Sequence, residues 1–418
     1  MCASDDSPQL RLESPLMNLF KRASISAIAL ISLGLLIAIG TAYWYVTPTP
    51  VQLYETGWRA LEAAEFTQAS ELADRLAKCR GFESHSHLLR GGALLRRGKP
   101  RESLDELKQA LNHDQTRVRA QVLAGEALTK LKLSLNAAEV LREALASEPA
   151  NVDAHRWAGA ALYDLGAMEQ AVFHLERLAE LVPADPRPHR VMGLIYKDLE
   201  NDQKAVLCYE ASLTRSADQP DIDSIRTELA EVQIRLNHHV DALKTLASCT
   251  SSARVLALRA ECEYAQGQIA PARELLNTAM KQNPNDEASL LLQGTLALNE
   301  GNPTAAVAAF EQAVKQTPAD FTARFKLSQA YAQAGNEQQA ARQLETMNEI
   351  KEIRREATQV YQQALREPRD ADARFRLGVL SEKLNRPDLA RMWYQAALSI
   401  DATHAPAATA LKNLHFGE

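Results

Sequence analysis

The sequence predicts an all-α chain in which a solenoid of about ten helical hairpins follows one transmembrane helix. Two observations carry this prediction. Small residues recur every 34 positions through most of the chain, and an uncharged apolar stretch covers residues 23–46. The composition agrees, because 46% of the 418 residues are hydrophobic and only 6% are aromatic. Ala, Leu, Glu and Gln are abundant, and these residues favour helix over strand.

Residues 23–46 contain no charged side chain, and a helix of this length spans a bilayer. Lys21 and Arg22 directly precede the stretch, whereas the first basic residue after it is Arg59. The positive-inside rule therefore places the N-terminus in the cytoplasm and the rest of the chain outside it. Aromatic residues 43–45 fit an anchor at the outer interface.

The ends of this segment leave alternatives open. Residues 1–22 form a short cytoplasmic tail, and Met17 is a second possible start of the chain. Residues 47–51 form a linker that contains two prolines. The apolar stretch is longer than the core of a usual signal peptide, which favours an uncleaved anchor, but cleavage near Ala42 is the alternative.

The net charge and the cysteines argue against two classes of protein. At −6, the chain lacks the basic footprint of a general nucleic-acid-binding protein. Its five cysteines include no Cys-x-x-Cys pair, so no zinc ribbon or thioredoxin motif is present. We expect buried free thiols. A disulfide between Cys249 and Cys262, on helices that should be adjacent, is the alternative.

Three repeated features predict hairpins of helices. The small residues of the first helix are Gly57, Gly91, Gly125, Gly159, Gly193, Ala230, Ala260, Gly294, Ser328 and Gly378. Those of the second helix are Ala69, Ser103, Ala137, Ala171, Ala205, Ala242, Ala272, Ala306, Ala340 and Ala390. Four positions later, a large apolar residue should fill the space that the small ones leave: Leu107, Leu141, Leu175, Tyr209, Leu246, Leu276, Phe310, Leu344 and Tyr394.

Turn-forming residues separate the two helices of a hairpin, and prolines separate successive hairpins. The residues expected to take the left-handed conformation in the turns are Gly98, Gly166, Asn201, Asn237, Gly267, Gly301, Gly335 and Asn385. The prolines that should end second helices are Pro149, Pro183, Pro284 and Pro318.

These residues resemble the tetratricopeptide-repeat family. The unit from Asn285 to Pro318, NDEASLLLQGTLALNEGNPTAAVAAFEQAVKQTP, carries the family's Leu-x-Gly, Ala and Phe-x-x-Ala spacing. The resemblance covers residues 52–403, or about ten units, and implies a right-handed α-α superhelix closed by a capping helix within 404–418. The first unit is weak, and Gln233 and Glu263 replace the usual bulky residue in the sixth and seventh.

An extra sixteen residues, 50 minus 34, separate Ala340 from Ala390. Apolar residues keep helical spacing through this region, which predicts one extended helix near 337–367. Its outer face is expected to be solvated, with a docking site there as the alternative; this face comprises Lys351, Glu352, Arg354, Arg355 and Glu356.

The periodic residues build the solenoid, so function must come from its concave surface, which the first helices line. The predicted partner-binding residues are Arg119, Lys130, Arg156, Arg187, Arg190, Lys197, Leu291, Leu298, Phe325 and Phe375. The basic ones should pair with acidic groups of a partner, and the apolar ones should take apolar anchors. The alternative is a solvated face whose charges pair with one another.

Some family members clamp a C-terminal carboxylate with Asn and Lys residues of successive first helices. Here Glu126, Ala160 and Leu194 occupy the matching Asn places, so the sequence does not support that clamp.

No phosphate loop, nucleophile elbow or His-Glu-x-x-His helix occurs, so we expect neither an enzyme nor a cofactor, metal or small-molecule site. The resemblance implies a scaffold that binds segments of other proteins. With residues 23–46 in the inner membrane, the repeats would lie in the periplasm and serve the assembly of an envelope complex. A soluble periplasmic chaperone-like binder and an accessory subunit of an enzyme complex are the alternatives.

Overall fold

Ten helical hairpins and a final helix form the computed structural model, which describes residues 48–216, 219 and 221–414. The hairpins are numbered unit 1 to unit 10 in chain order. Their first helices are α1 (Pro50–Glu62), α3 (Glu83–Arg96), α5 (Asp114–Lys130), α7 (Val152–Asp164), α9 (Arg187–Asp198), α11 (Ile222–Arg235), α13 (Ala253–Ala265), α15 (Glu287–Asn299), α17 (Phe321–Gln333) and α19 (Ala371–Lys383).

The second helices pack against them. They are α2 (Phe66–Leu76), α4 (Pro100–Ala110), α6 (Ser134–Ser147), α8 (Met168–Leu181), α10 (Asp202–Arg215), α12 (His239–Leu246), α14 (Ile269–Gln282), α16 (Pro303–Gln316), α18 (Glu337–Arg366) and α20 (Pro387–Ile400). The last helix is α21 (Ala405–Asn413). These described residues contain no strand, so the predicted all-α solenoid of about ten units is confirmed.

The predicted transmembrane segment, residues 23–46, lies outside the described residues. Within the described part of the chain, no helix combines the length and the apolar character that crossing a bilayer requires.

Polar caps explain where many first helices begin. The Asn151 side chain accepts a hydrogen bond from the backbone N–H of Ala154 at 2.9 Å, which satisfies one of the free donors at the start of α7. Asp286 makes the same bond to the N–H of Ser289 at 2.9 Å and begins α15. The four predicted prolines follow the ends of α6, α8, α14 and α16, as expected.

Every unit places a residue with positive φ seven positions after the small residue of its first helix. Seven of the eight residues predicted for these turns do so, with Asn201 as the exception. The constant turn length puts Glu200 at this position, with φ of 57°. Asn201 follows it and caps α10, because its side chain accepts a hydrogen bond from the N–H of Lys204 at 3.3 Å. The geometry of the repeat therefore overrides residue preference here.

The small and large residues meet as the sequence predicts in the other units, but the prediction is wrong for Leu344 of unit 9, which is 46% exposed and fills no such space. A Cβ atom on Gly294 would lie 2.5 Å from the ring of Phe310, and one on Gly193 would lie 2.9 Å from the ring of Tyr209. Phe310 and Tyr209 are fully buried. Each glycine thus allows a bulky side chain of the second helix to fit against the first helix.

Helix α18 has 30 residues and matches the predicted extended helix. The expectation for its outer face is wrong at Arg354, which points toward other units of the chain. Arg354 forms an ion pair with Glu200 at 3.2 Å, and its guanidinium lies 4.6 Å from the centroid of the Phe321 ring. Phe321 belongs to the same unit, but superhelical curvature brings Glu200 of unit 5 to Arg354, and periodicity within one helix does not report that curvature.

The C-terminal end of the solenoid touches units in the first half of the chain. Units 9 and 10 pack on units 3 to 5, and we call this contact between α6–α9 and α18–α20 the seam. Leu365 and Met392 pack against the core that contains Leu162, Leu165 and Met168. The curvature that accumulates over the intervening units therefore closes units 3 to 10 into a ring.

Polar contacts flank the apolar part of the seam. The Tyr361 hydroxyl donates to a carboxylate oxygen of Glu169 at 2.8 Å. Arg386 forms an ion pair with Asp198 at 2.8 Å. The contact thus brings units 9 and 10, which carry the predicted apolar residues Phe325 and Phe375, next to units 3 to 5, which carry the predicted basic residues.

Candidate partner-binding groove

The concave faces of α11, α13, α15 and α17 form a continuous polar and apolar surface, which we call the groove. Side chains connect each first helix to the next. Arg254 of α13 donates to Glu231 of α11 at 2.9 Å, and Lys326 of α17 donates to Thr295 of α15 at 3.0 Å. Asn299 of α15 donates to the hydroxyl of Tyr264 of α13. These contacts show that the four helices present the named side chains on one face.

Five of the six basic residues predicted for the concave surface already have a partner within the chain. Arg119 donates to the Tyr54 hydroxyl at 2.7 Å, and its guanidinium lies 4.8 Å from the centroid of the Trp58 ring. Lys130 forms an ion pair with Glu126 at 2.9 Å.

The remaining basic residues lie on α7 and α9. Arg156 forms an ion pair with Asp153. Arg187 pairs with Asp185 at 2.7 Å, and this contact lowers the pKa of the Asp185 carboxyl below its ordinary value. Lys197 lies 3.9 Å from Glu228.

Arg190 differs from the other five. Within the described part of the chain, no side chain forms an ion pair or hydrogen bond with its guanidinium. It therefore stays open to an acidic group of a partner.

The four predicted apolar residues differ in exposure. Phe325 is 48% exposed and lies beside Lys326 and Gln329. Leu291 and Leu298 are half-buried and pack on the core around Phe310. Phe375 packs against Tyr394 and His404 at the end of the solenoid, near the capping helix. Phe325 is thus the best placed of the four to contact a partner.

A further repeat position that bears on the groove lies directly after the small residue of each first helix. In units 3 to 5 this position holds Glu126, Ala160 and Leu194, the places compared above with the carboxylate clamp. The residue after the small residue of the next two first helices is again a glutamate, Glu231 after Ala230 and Glu261 after Ala260. The sequence therefore shows these glutamates at the repeat position. Their partners come from neighbouring units, however, and cannot be identified from one helix.

The three glutamates at this position have different partners. Glu126 is 2% exposed and forms ion pairs with Lys130, at 2.9 Å, and with Arg96. Glu231 accepts from the Arg254 guanidinium at 2.9 Å. Glu261 is half-buried, and no described cation lies within ion-pair distance of its carboxylate.

Burial shifts the pKa values of three groups in the groove. It raises the pKa of Glu261 above the ordinary glutamate value, against the partial opposition of Arg254 and Lys326. Burial also raises the pKa of Glu287, whose carboxylate accepts from the Thr317 hydroxyl at 2.6 Å. It lowers the pKa of the Lys326 ammonium. The groove therefore holds partly desolvated charges.

Neither the thiols nor the acidic groups of the described residues form a covalent or metal-binding centre. Cys79, Cys208, Cys249 and Cys262 are free, so the alternative disulfide between Cys249 and Cys262 is absent. Only Cys262 is fully buried. No group of three or more His, Cys, Asp or Glu residues in the described ranges is arranged to hold a metal ion.

Family models described as tetratricopeptide repeats match residues 135–195, 191–219, 291–347 and 354–405. Units 1, 2, 6 and 7 lie outside these ranges, and three of them, units 1, 6 and 7, are those that depart most from the repeat pattern. No curated protein matches the chain.

Solved structures of MamA match part of the chain. One, MamA residues 41 to end from Desulfovibrio magneticus RS-1, is 23% identical; the match covers 43% of this chain and 97% of that one, with a TM-score of 0.37. Another, MamA AMB-1, is 19% identical; the match covers 40% of this chain and 98% of that one, with a TM-score of 0.34.

Proposed function

Because the chain is a tetratricopeptide-repeat protein, we propose that it is a non-catalytic scaffold that holds an extended segment of a partner protein in the groove. The family match supports protein binding as the general function. The groove suits a segment rather than a small molecule, because it runs across four helices instead of enclosing a cavity.

The observation that carries this proposal is the exposure of Phe325. Phe325 is 48% exposed on a first helix that faces the groove, so its ring is accessible to a bound segment. Thr322, Lys326 and Gln329 surround it with polar groups that can bond to a peptide backbone. An apolar anchor with polar neighbours is the usual composition of a peptide-binding surface.

We further propose that residues 23–46 display this scaffold at the inner membrane, with the repeats in the periplasm. The support is the uncharged length of the segment and the position of Lys21 and Arg22 before it. Anchoring would concentrate the groove at the membrane, where it would favour the assembly of an envelope complex.

The partner-binding proposal is tested by site-specific crosslinking in living cells. Photoreactive residues replace Phe325 and Arg190 in turn, and Lys315 on the exposed face of α16 serves as the control. Mass spectrometry then identifies what each position captures. One recurrent partner at Phe325 and none at Lys315 supports a dedicated scaffold, and capture of the same partner at Arg190 of α9 shows that the bound segment continues beyond the groove. Equal capture at all three positions, or none at any, overturns it.

The membrane proposal has its own test. A C-terminal alkaline phosphatase fusion, which is active only outside the cytoplasm, is compared with a fluorescent-protein fusion in a bacterial host, and the mature N-terminus is sequenced. Phosphatase activity with an intact segment 23–46 supports the anchor. A mature chain that begins near Ala42 would instead establish the soluble periplasmic binder.

A further inference from the structure

The three glutamates that follow the small residue of their first helix provide an internal comparison. Glu126 and Glu231 each have a cation from a neighbouring position of the chain, as their ion pairs with Lys130 and Arg254 show. Glu261 occupies the same place in unit 7 and has no such cation among the described residues. The chain supplies a partner at two of the three places and leaves the third open.

The cations nearest to Glu261 are engaged elsewhere. Arg254 bonds to Glu231 and approaches Asp286 at 3.8 Å. Lys326 donates to the Thr295 hydroxyl at 3.0 Å. Both cations favour the charged form of Glu261 only from a distance, whereas the negative charges of Glu231 and Glu287 disfavour it. Negative charge therefore exceeds positive charge at the centre of the groove.

A partly buried carboxylate without a partner is costly, and a cation from outside the chain would remove that cost. A lysine or arginine side chain is the best partner for this carboxylate, because its long apolar stem can lie along the groove while its charged end reaches the carboxylate. An acidic or purely apolar segment would leave Glu261 desolvated and still without a partner.

Resting on the proposed function, we infer that the groove selects partner segments in which a lysine or arginine pairs with Glu261 and an apolar residue packs on Phe325. The two contact points fix a spacing. Helices α13 and α17 are two helix-to-helix steps apart, or roughly 16–20 Å. An extended chain covers that distance in about five or six residues. The preferred segment therefore carries its basic and apolar residues about that far apart.

The test uses a phage-displayed library of random 12-residue peptides and the full chain in lipid nanodiscs. The wild-type protein is expected to select peptides with a Lys or Arg about five or six residues from a large apolar residue. Glu261→Gln is expected to weaken the binding of a selected peptide about tenfold, because one charged hydrogen-bonded pair is lost. Fluorescence anisotropy measures that affinity.

Glu274→Gln is the matched control, since Glu274 is an exposed glutamate on the second helix of the same unit. It should leave the affinity unchanged. A synthetic peptide with its basic residue replaced by norleucine should bind wild type and Glu261→Gln equally weakly, which shows that the two groups act as a pair. Circular dichroism of both variants verifies the fold.

The outcomes separate this inference from the function on which it rests. Selected peptides without a preferred basic residue, or equal affinity for wild type and Glu261→Gln, would overturn the role of Glu261 and leave the scaffold function standing. If the wild-type chain selects no peptide above the background of empty nanodiscs, segment binding itself is overturned.

Discussion

The seam joins helices of units that are far apart in the chain, whereas the groove is formed by the first helices of four successive units, and the two surfaces differ in how completely their side chains are partnered. In the seam, Trp393 is 5% exposed and its ring covers Gly166. Arg386 and Tyr361 there bond to acidic groups of distant units. In the groove, Phe325 is half-exposed and Glu261 has no described cation.

This difference shows how one repeat serves two purposes. Where the chain supplies both sides of a contact, the contact holds the curvature of the ring. Where the chain supplies only one side, the surface can bind another molecule, and the groups without a partner lower the stability of the free protein. Matched substitutions in the seam and in the groove test this difference.

The largest effect is expected from Trp393→Ala. Removing a buried tryptophan leaves a cavity, so unfolding free energy should fall by about 3–5 kcal/mol. Because Trp393 joins unit 10 to unit 4, the ring should also open. Urea denaturation followed by circular dichroism measures the first change, and an increased radius of gyration in small-angle X-ray scattering measures the second.

Phe325→Ala is the matched aromatic deletion in the groove. Its ring is already half in water, so the loss should stay below about 1 kcal/mol, with no change in radius of gyration. Equal losses for the two variants would contradict the distinction between seam and groove.

A second comparison uses two glycines with the same backbone conformation. Gly166 and Gly301 both have φ of 71°, but an added Cβ overlaps the Trp393 ring only at Gly166 and meets nothing within 4 Å at Gly301. Substitution by alanine at either site carries a strain of about 1–2 kcal/mol. Gly166→Ala should cost about 1–3 kcal/mol more because the seam must shift. Thermal unfolding of the two variants tests this, and a smaller loss at Gly166 would argue that the seam is loose.

The sequence predicted what is local and periodic. The 34-residue step located the hairpins, and spacing within residues 337–367 located α18, because both depend on neighbours in one helix or one turn. The seam could not be predicted in this way. Tyr361 and Glu169 are 192 residues apart, and their contact depends on curvature summed over the units between them.

The candidate site shows the same division. Phe325 was predicted from its register and is exposed. Glu261 was missed, although it shares the register of Glu126, because its distinguishing property is the lack of a nearby cation. Partners at this position come from neighbouring helices, such as Arg96 of α3 for Glu126, so register alone does not say which charges remain open.

The position directly after the small residue of each first helix allows the same comparison at one kind of site. In unit 3 this position holds Glu126, which has cation partners. Glu126→Gln removes the buried acceptor of Arg96 and Lys130. Both cations are partly exposed and can be resolvated, so we expect a loss of about 1–2 kcal/mol rather than the larger cost of an enclosed pair. Urea denaturation at pH 7 measures it. A neutral or stabilising effect would show that these ion pairs contribute nothing.

In unit 7 the same position holds Glu261, which has no cation partner among the described residues. Its replacement should change the free energy of unfolding in the opposite direction and by the smallest amount. Glu261→Gln keeps the size of the side chain and removes a carboxylate that burial, Glu231 and Glu287 disfavour and that Arg254 and Lys326 only partly support. We expect a gain of about 0.5–1 kcal/mol at pH 7.

The size of this effect depends on pH in a defined way. Because the pKa of Glu261 is raised in the folded chain, the folded state holds this proton more tightly than the unfolded state. Wild-type stability from this group is therefore present below the ordinary pKa of 4.5 and is lost as pH rises through the folded value. The advantage of Glu261→Gln should accordingly vanish when the same denaturation is repeated near pH 4. Destabilisation at pH 7 would mean that Glu261 already has a partner in the free protein, and the groove would then resemble the seam.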